Sequence, residues 1–360
     1  MYYKSNSDKL RLNFNITHYL HARIQLMSDK SILVTGGAGY IGSHTVRQLG
    51  EAGEKIVVLD NLSTGHKASV LYGDFIKGDT GDSDLVGKIL KDYNVDTVIH
   101  FAAHTIVPES VSNPLKYYGN NTCNSRSLLE QCNAHGVKNF IFSSTAAVYG
   151  VLETGYAKED TPKNPINAYG TSKLMTEMML KDVSFASDLN YVALRYFNVA
   201  GSDPECRIGQ ATPQSTLLIK VAAEAAVGKR EQVYIFGTDY PTEDGTGIRD
   251  YIHVEDLADA HLRALDYLRS GGESTSLNVG YGHGYSVREV LNAVERIDGK
   301  ALNIVEEERR AGDPPTLLSV ADEIKTKLNW TPKYDDLDVI VKTSLDWEYK
   351  LKANPEGFTK

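Results

Sequence analysis

Cysteine is scarce in this chain: Cys123, Cys132 and Cys206 are the only three among 360 residues. The number is odd and no CxxC pair occurs, which excludes a disulfide framework and a cysteine zinc site, so the thiols read as reduced. Positive charge is also short. Lys and Arg number 38 against 47 Asp and Glu, a formal net charge of −9, so no nucleic-acid partner is expected. Long apolar runs are missing, none approaching the ~18–20 residues that cross a bilayer. Internal repeats and low-complexity segments are absent, and the 21 tyrosines are scattered rather than gathered into a stacking platform. His253 has no partner at metal-ligand spacing and reads as part of a packed element. What remains is a cytoplasmic protein with no expected metal and no expected membrane contact.

The composition that is present, 41% hydrophobic and 24% charged, is that of an ordinary globular chain. Its length allows one large or two modest domains. Residues 1–26 hold scattered basic side chains and no signal-peptide core, and are expected to form a non-functional extension ahead of a start at Met27.

From Ser31 the pattern is regular. Short apolar runs at Ser31–Thr35, Ile56–Leu59, Asp74–Lys77, Thr97–Phe101, Asn139–Phe142 and Tyr191–Arg195 read as strands. Helical stretches separate them, including Ile41–Ala52, Asp82–Tyr93, one long helix over Leu115–Asn133, and Asn167–Phe185. Alternation of this kind predicts an α/β fold with a doubly wound parallel sheet. Beyond Asn198 the pattern loosens, with helices expected at Leu217–Gly228, His253–Leu268 and Val287–Ile297. The last opens on Ser286 and Glu289 at capping-box spacing. This region reads as a smaller second lobe.

Gly36, Gly39 and Gly42 form a GxxGxxG turn between the first strand and the first helix. Glycine there admits positive φ and lets a pyrophosphate approach the helix N-terminus. Asp60 closes the next strand, 18 residues after Gly42, where a carboxylate accepts from both ribose hydroxyls and repels a 2′-phosphate. The pattern therefore selects NAD over NADP. Further on, Tyr169 and Lys173 lie four residues apart on one helix face. Tyrosine ionises near pH ~10, and a neighbouring ammonium favours the phenolate, so Tyr169 is a candidate general base. Ser143-Ser144-Thr145 ends an apolar strand, and Thr145 offers a hydroxyl to orient a substrate oxygen.

The segments TGGAGYIGSH, LDNLSTGH, FSSTAAVYG, NAYGTSK and LRYFNVAGSDP resemble the extended short-chain dehydrogenase/reductase family. IFGTDYPTEDGTGIRDYIHVEDLADAH is similar to its UDP-hexose 4-epimerase branch at nearly every position. The resemblance implies a Rossmann-type sheet with a smaller C-terminal α/β substrate lobe, divided as an NAD-binding domain at 27–198 and a UDP-sugar lobe at 199–360 with some elements interleaved. It implies that Thr145, Tyr169 and Lys173 catalyse oxidation of C4 and reduction from the opposite face. The same resemblance assigns NAD contacts to Gly36, Gly39, Tyr40, Ile41, Gly42, Asp60, Asn61, Leu62, Ser63, Thr64, Gly65, Asp79 and Thr80. Phe101, Ala102, Ala103, Thr105, Asn120, Ser143, Tyr169, Lys173 and Phe197 complete that set. UDP-hexose contacts fall on Thr145, Tyr169, Tyr196, Asn198, Thr216, Leu217, Tyr234, Phe236, Arg249, Arg310, Asp313 and Leu317, the arginines as charge-assisted diphosphate donors. Relatives are often homodimers through the helices near Leu115–Asn133 and Asn167–Phe185, so the expected partners are a UDP-hexose and a second copy of the chain.

Three positions depart from the common pattern: Thr145 replaces a serine, Thr105 a lysine and Leu317 a tyrosine. The last widens the expected hexose pocket toward 2-acetamido sugars. A rival activity, 4,6-dehydration, needs an Asp-Glu pair after the catalytic threonine, and Ala146-Ala147 stands there instead. A non-catalytic NAD-binding role would be marked by loss of the tyrosine or lysine, and both are present.

Overall fold

The computed structural model describes residues 29–212, 215–310 and 313–358; the expected extension at 1–26 lies outside them. Seven strands form one fully parallel sheet: β1 (Ser31–Thr35), β2 (Ile56–Asp60), β3 (Asp74–Lys77), β4 (Val95–His100), β5 (Asn139–Thr145), β6 (Asn190–Tyr196) and β7 (Thr275–Val279). Their order across the sheet is β7-β6-β5-β4-β1-β2-β3. Successive side chains point to opposite faces, which splits the core in two. Ile32, Val34, Val58, Ile99 and Ile141 face one side, while Leu33, Val57, Leu59, Val98 and Phe140 face the other. The order reverses between β1 and β4, so the helices that follow them leave on opposite faces and open a crevice at the strand C-termini.

Helices α1 (Tyr40–Glu51), α2 (Ala168–Ala186) and α3 (Val254–Arg269) flank the sheet. The long helix expected over Leu115–Asn133 is interrupted. Pro114–Tyr117 runs into a π-helical turn at Tyr118–Cys123 before α-helix resumes at Asn124–Ala134. Within that turn Asn121 is tied on both sides: its amide oxygen accepts from His104 N at 2.8 Å and its amide nitrogen donates to Ser172 Oγ at 3.1 Å. A local interaction of that kind leaves no trace in hydrophobic periodicity.

The edge strand β7 comes from beyond residue 198, so the two expected domains share one sheet. A four-stranded sheet runs in the order Tyr285–Ser286, Ile248–Arg249, Thr316–Ser319, Tyr156–Ala157, its last strand coming from the range expected for the first domain. Two short parallel pairs join Asn198–Ala200 to Tyr251–His253 and Val233–Phe236 to Ile304–Glu307. The Ser286–Glu289 capping box forms as expected at the start of helix Val287–Asp298. A further long helix, Leu337–Ala353, packs against it. Among the described residues no helix is long and apolar enough to cross a membrane.

Candidate active site

A cavity of about 570 Å³ opens along the C-terminal ends of β1, β2, β4, β5 and β6. At one end the turn after β1 is built from glycines for steric reasons. Gly36 has φ +71°, and a Cβ there would sit 2.6 Å from Ala102 N; one on Gly42 would sit 2.3 Å from Gly36 O. Gly39 caps α1 without a side-chain hydrogen bond, and the first turn carries no acidic residue. The amide groups at that helix start are therefore left for an anion, helped by the helix dipole. Asp60 is fixed beside them: its carboxylate accepts from Ala38 N at 3.0 Å and from Leu62 N at 2.8 Å. Asp79 accepts from Asn61 Nδ2 at 2.9 Å and from Asn124 Nδ2 at 2.8 Å. An uncapped helix start, a turn without side chains and a pinned carboxylate one strand away suit a dinucleotide that lacks a 2′-phosphate.

In the middle of the cavity Thr145 closes β5 beside Tyr169, which lies in the first turn of α2. Asn167 caps that helix by accepting from Gly170 N at 2.9 Å, and this fixes the turn that carries the tyrosine. Tyr117, fully buried, packs behind Tyr169. Lys173 lies one helical turn further on and outside the lining, its Nζ donating to the Ser143 carbonyl at 2.7 Å. Ser143 Oγ in turn pairs with the Tyr196 hydroxyl.

Electrostatics at this point differ from the expectation that Lys173 lowers the tyrosine. Burial pushes Tyr169 above its ordinary value, against the pull of the Thr145 hydroxyl. Burial also pushes Lys173 down to about 7, with Glu177 acting the other way. Both shifts have the same cause. The strands and α2 remove water from the pair, and desolvation disfavours whichever charged form each group could take.

At the far end Arg249 and Leu317 are register partners on adjacent strands, so a cation and an apolar wall share one rung. Arg249 donates to Ile248 O at 2.9 Å and approaches Asp313 at 3.6 Å. The rung is held from below by buried Asp250, which accepts from Tyr281 N at 3.0 Å, Gly282 N at 3.1 Å and Ser319 Oγ at 2.6 Å.

The cavity brings together most of the expected residues. Gly36, Gly39, Tyr40, Ile41, Gly42, Asp60, Asn61, Ser63, Thr64, Asp79, Thr80, Phe101, Ala102, Ala103, Thr105, Asn120 and Ser143 line it. So do Thr145, Tyr169, Tyr196, Phe197, Asn198, Thr216, Leu217, Arg249, Asp313 and Leu317. Outside the lining, besides Lys173, are five others. Leu62 takes a positive φ of 61° in the turn after Asp60. Gly65 packs against Ala38, with 2.8 Å between a would-be Cβ and Ala38 C. Tyr234 is exposed, and Phe236 lies beneath the Arg310 guanidinium, 3.6 Å from ring centroid to Cζ. Lining residues that the sequence reading did not name include His104, Ile106, Val107 and Val111, from the segment after β4, with Ile166 and Gln210. Position after a strand in an open α/β sheet was the available signal for the first four. Among the described residues no cluster of His, Cys, Asp and Glu could hold a metal.

The NAD dependent epimerase/dehydratase family matches residues 32–280. The chain is 52% identical to a UDP-glucose 4-epimerase of Azospirillum brasilense over 92% of this chain and 95% of that one. The corresponding figures for the UDP-glucose 4-epimerase of Lacticaseibacillus casei are 46%, 91% and 98%. Among solved structures, UDP-glucose 4-epimerase from Brucella ovis in complex with NAD superposes with a TM-score of 0.86 at 44% identity, covering 88% of this chain and 98% of that one. The UDP-Glc/GlcNAc 4-epimerase from Campylobacter jejuni superposes with a TM-score of 0.79 at 49% identity, covering 89% and 99%.

Proposed function

The chain belongs to the NAD dependent epimerase/dehydratase family, and from that membership we infer that it is an enzyme interconverting UDP-glucose and UDP-galactose. One observation carries the reading: a single cavity joins the glycine cradle with Asp60, the Thr145–Tyr169 pair, and the Arg249–Leu317 rung. Cofactor, proton-transfer group and nucleotide-sugar site are thereby aligned along one ligand-shaped space. NAD, when bound, supplies the acceptor for the C4 hydride and gives it back.

The chain's own residues do the rest. Tyr169 takes the 4-hydroxyl proton and returns it to the 4-keto sugar, and Thr145 holds that oxygen in line. Lys173, one turn behind, supplies the positive charge that the phenolate needs. Arg249 and Asp313, which line the cavity, grip the UDP portion, so nucleotide binding carries the affinity and the hexose is free to turn over between the two half-reactions. Ala146 and Ala147 line the cavity where a dehydratase needs an acid and a base, and methyl groups transfer no protons. Leu317 leaves room beside the hexose for a 2-acetamido group, so UDP-GlcNAc and UDP-GalNAc are substrates as well.

In the cell the protein is a cytoplasmic homodimer in this reading, with an NAD-binding domain at 27–198 and a UDP-sugar lobe at 199–360 that lends β7 to the sheet. Apolar side chains left in solvent on the helices of the expected bundle support the dimer: Leu115 is 78% exposed, Met178 59% and Phe185 96%.

A coupled assay of the purified protein with UDP-galactose and, separately, UDP-GalNAc, without added NAD, tests the function. Conversion of both is expected. Failure on UDP-galactose even after NAD is supplied would overturn the activity, and failure on UDP-GalNAc alone would overturn the role given to Leu317.

A further inference from the structure

Three residues spaced one turn apart on α2 lace that helix to the three consecutive residues at the tip of β5. Tyr169 stands beside Thr145, Lys173 Nζ donates to Ser143 O at 2.7 Å, and Glu177 Oε1 accepts from Ser144 Oγ at 2.5 Å. The first two belong to the reaction already described; the third has had no part in it. Glu177 is buried and is held from the neighbouring strand as well. Arg195, the register partner of Ser144 on β6, donates from Nε to Oε1 at 2.9 Å and from Nη2 to Oε2 at 2.5 Å. Arg195 is itself fixed, donating from Nη1 to the Tyr149 hydroxyl at 3.0 Å and to Glu159 O at 3.1 Å.

A buried pair of this geometry is ordinarily no more than a structural tie. Its position distinguishes it here, because Lys173 and Glu177 are i,i+4 neighbours on one helix face. We propose that Glu177 is a positioning residue for the epimerisation: its carboxylate, clamped by Ser144 and Arg195, keeps Lys173 in the ammonium form and aimed at the tip of β5. The inference rests on the reading of Tyr169 and Lys173 as the proton-transfer pair.

The groups around Lys173 come from five elements. Helix α2 contributes Tyr169 and Glu177. From β5 come the Ser143 carbonyl and the Phe142 ring, 4.8 Å from Nζ. Strand β4 contributes His100, which burial and the lysine hold neutral by pushing it down to about 3. From β6 come Arg195 and Tyr196, and Tyr117 stands behind Tyr169. Within that set Glu177 is the anion. It opposes the burial that brings Lys173 down to about 7. An ammonium whose ionisation lies near neutrality is present below that pH and lost above it, so it produces the alkaline limb of the rate profile.

The test is the pH profile of kcat for UDP-galactose with NAD-loaded protein, measured for the natural chain, Glu177→Gln and Arg195→Met. Glu177→Gln removes the anion, and its alkaline limb moves about 1–2 pH units lower. Arg195→Met takes away the donors that hold the Glu177 carboxylate in its charged form, and its limb also moves lower. KM stays within about twofold in both, because neither residue lines the cavity. A limb displaced lower at unchanged KM is what a purely structural tie cannot produce; limbs that stay put or move higher overturn the proposal. Should neither charge variant fold, Ser144→Ala carries the test. It keeps the ion pair but strips one donor from the carboxylate, which lowers the limb; an unmoved limb overturns the proposal. Lys173→Met separates the two readings. Appreciable activity in Lys173→Met removes the proton-transfer pair itself, whereas an inactive Lys173→Met with unmoved limbs in the other variants removes only Glu177.

Discussion

At Tyr169 two chemical demands conflict. The hydroxyl must lose its proton to act, yet burial makes the phenolate harder to form, and the Thr145 hydroxyl offsets that only in part. The group therefore works only with the positive charge of Lys173 close by, and Lys173 is itself near the edge of losing it. Tyr169→Phe removes the proton carrier while leaving the ring that fills the space against Tyr117. Turnover of UDP-galactose should fall by at least ~10²–10⁴-fold, with bound NAD, measured by its absorbance after release, unchanged. Retained turnover would remove Tyr169 from the base role. The spacing of Tyr169 and Lys173 and the hydroxyls at 143–145 were plain in the sequence, because helix and strand periods fix which side chains share a face. The depressed ionisation of Lys173 was not. It depends on how completely β5 and α2 exclude water, and on the opposing charge of Glu177.

Among the elements, the start of α1 is the most constrained. Gly42 lies inside the helix, where glycine ordinarily costs stability, and it is kept because a Cβ would meet Gly36 O at 2.3 Å. Gly42→Ala should cost ~1–3 kcal/mol through overpacking, read as a lower melting temperature. It should also reduce the NAD that co-purifies, since the displaced turn is the one offered to the pyrophosphate. A variant that melts and retains NAD like the natural chain would refute this. This motif was legible because its steric logic is local, as was the Ser286–Glu289 capping box. The π-turn at Tyr118–Cys123 was not, because what stabilises it is the tie from Asn121 to His104 and Ser172. Those partners are distant in sequence and carry no periodic signal.

For the molecule as a whole, the strand–helix alternation up to Arg195 was enough to anticipate the parallel sheet, but the short strands of the second lobe escaped. Ile248–Arg249 and Tyr285–Ser286 are two residues each, too brief for any alternation to show, and the helix Leu337–Ala353 was likewise unanticipated. The exposed apolar face on the helices beside the active site bears on assembly. Met178→Glu, placing a charge in the proposed bundle, should convert the dimer to monomer by sedimentation. A dimer that survives unchanged would direct attention to another surface. The edge strand β7 has its own consequence. During synthesis β6 leaves the ribosome long before Thr275–Val279, and until then it presents a bare backbone edge of the kind that invites intermolecular pairing. The first 198 residues therefore do not complete the sheet by themselves. Their last strand stays open until most of the other lobe has been made, and a message cut short after residue 198 would yield a sticky fragment rather than a working half-enzyme.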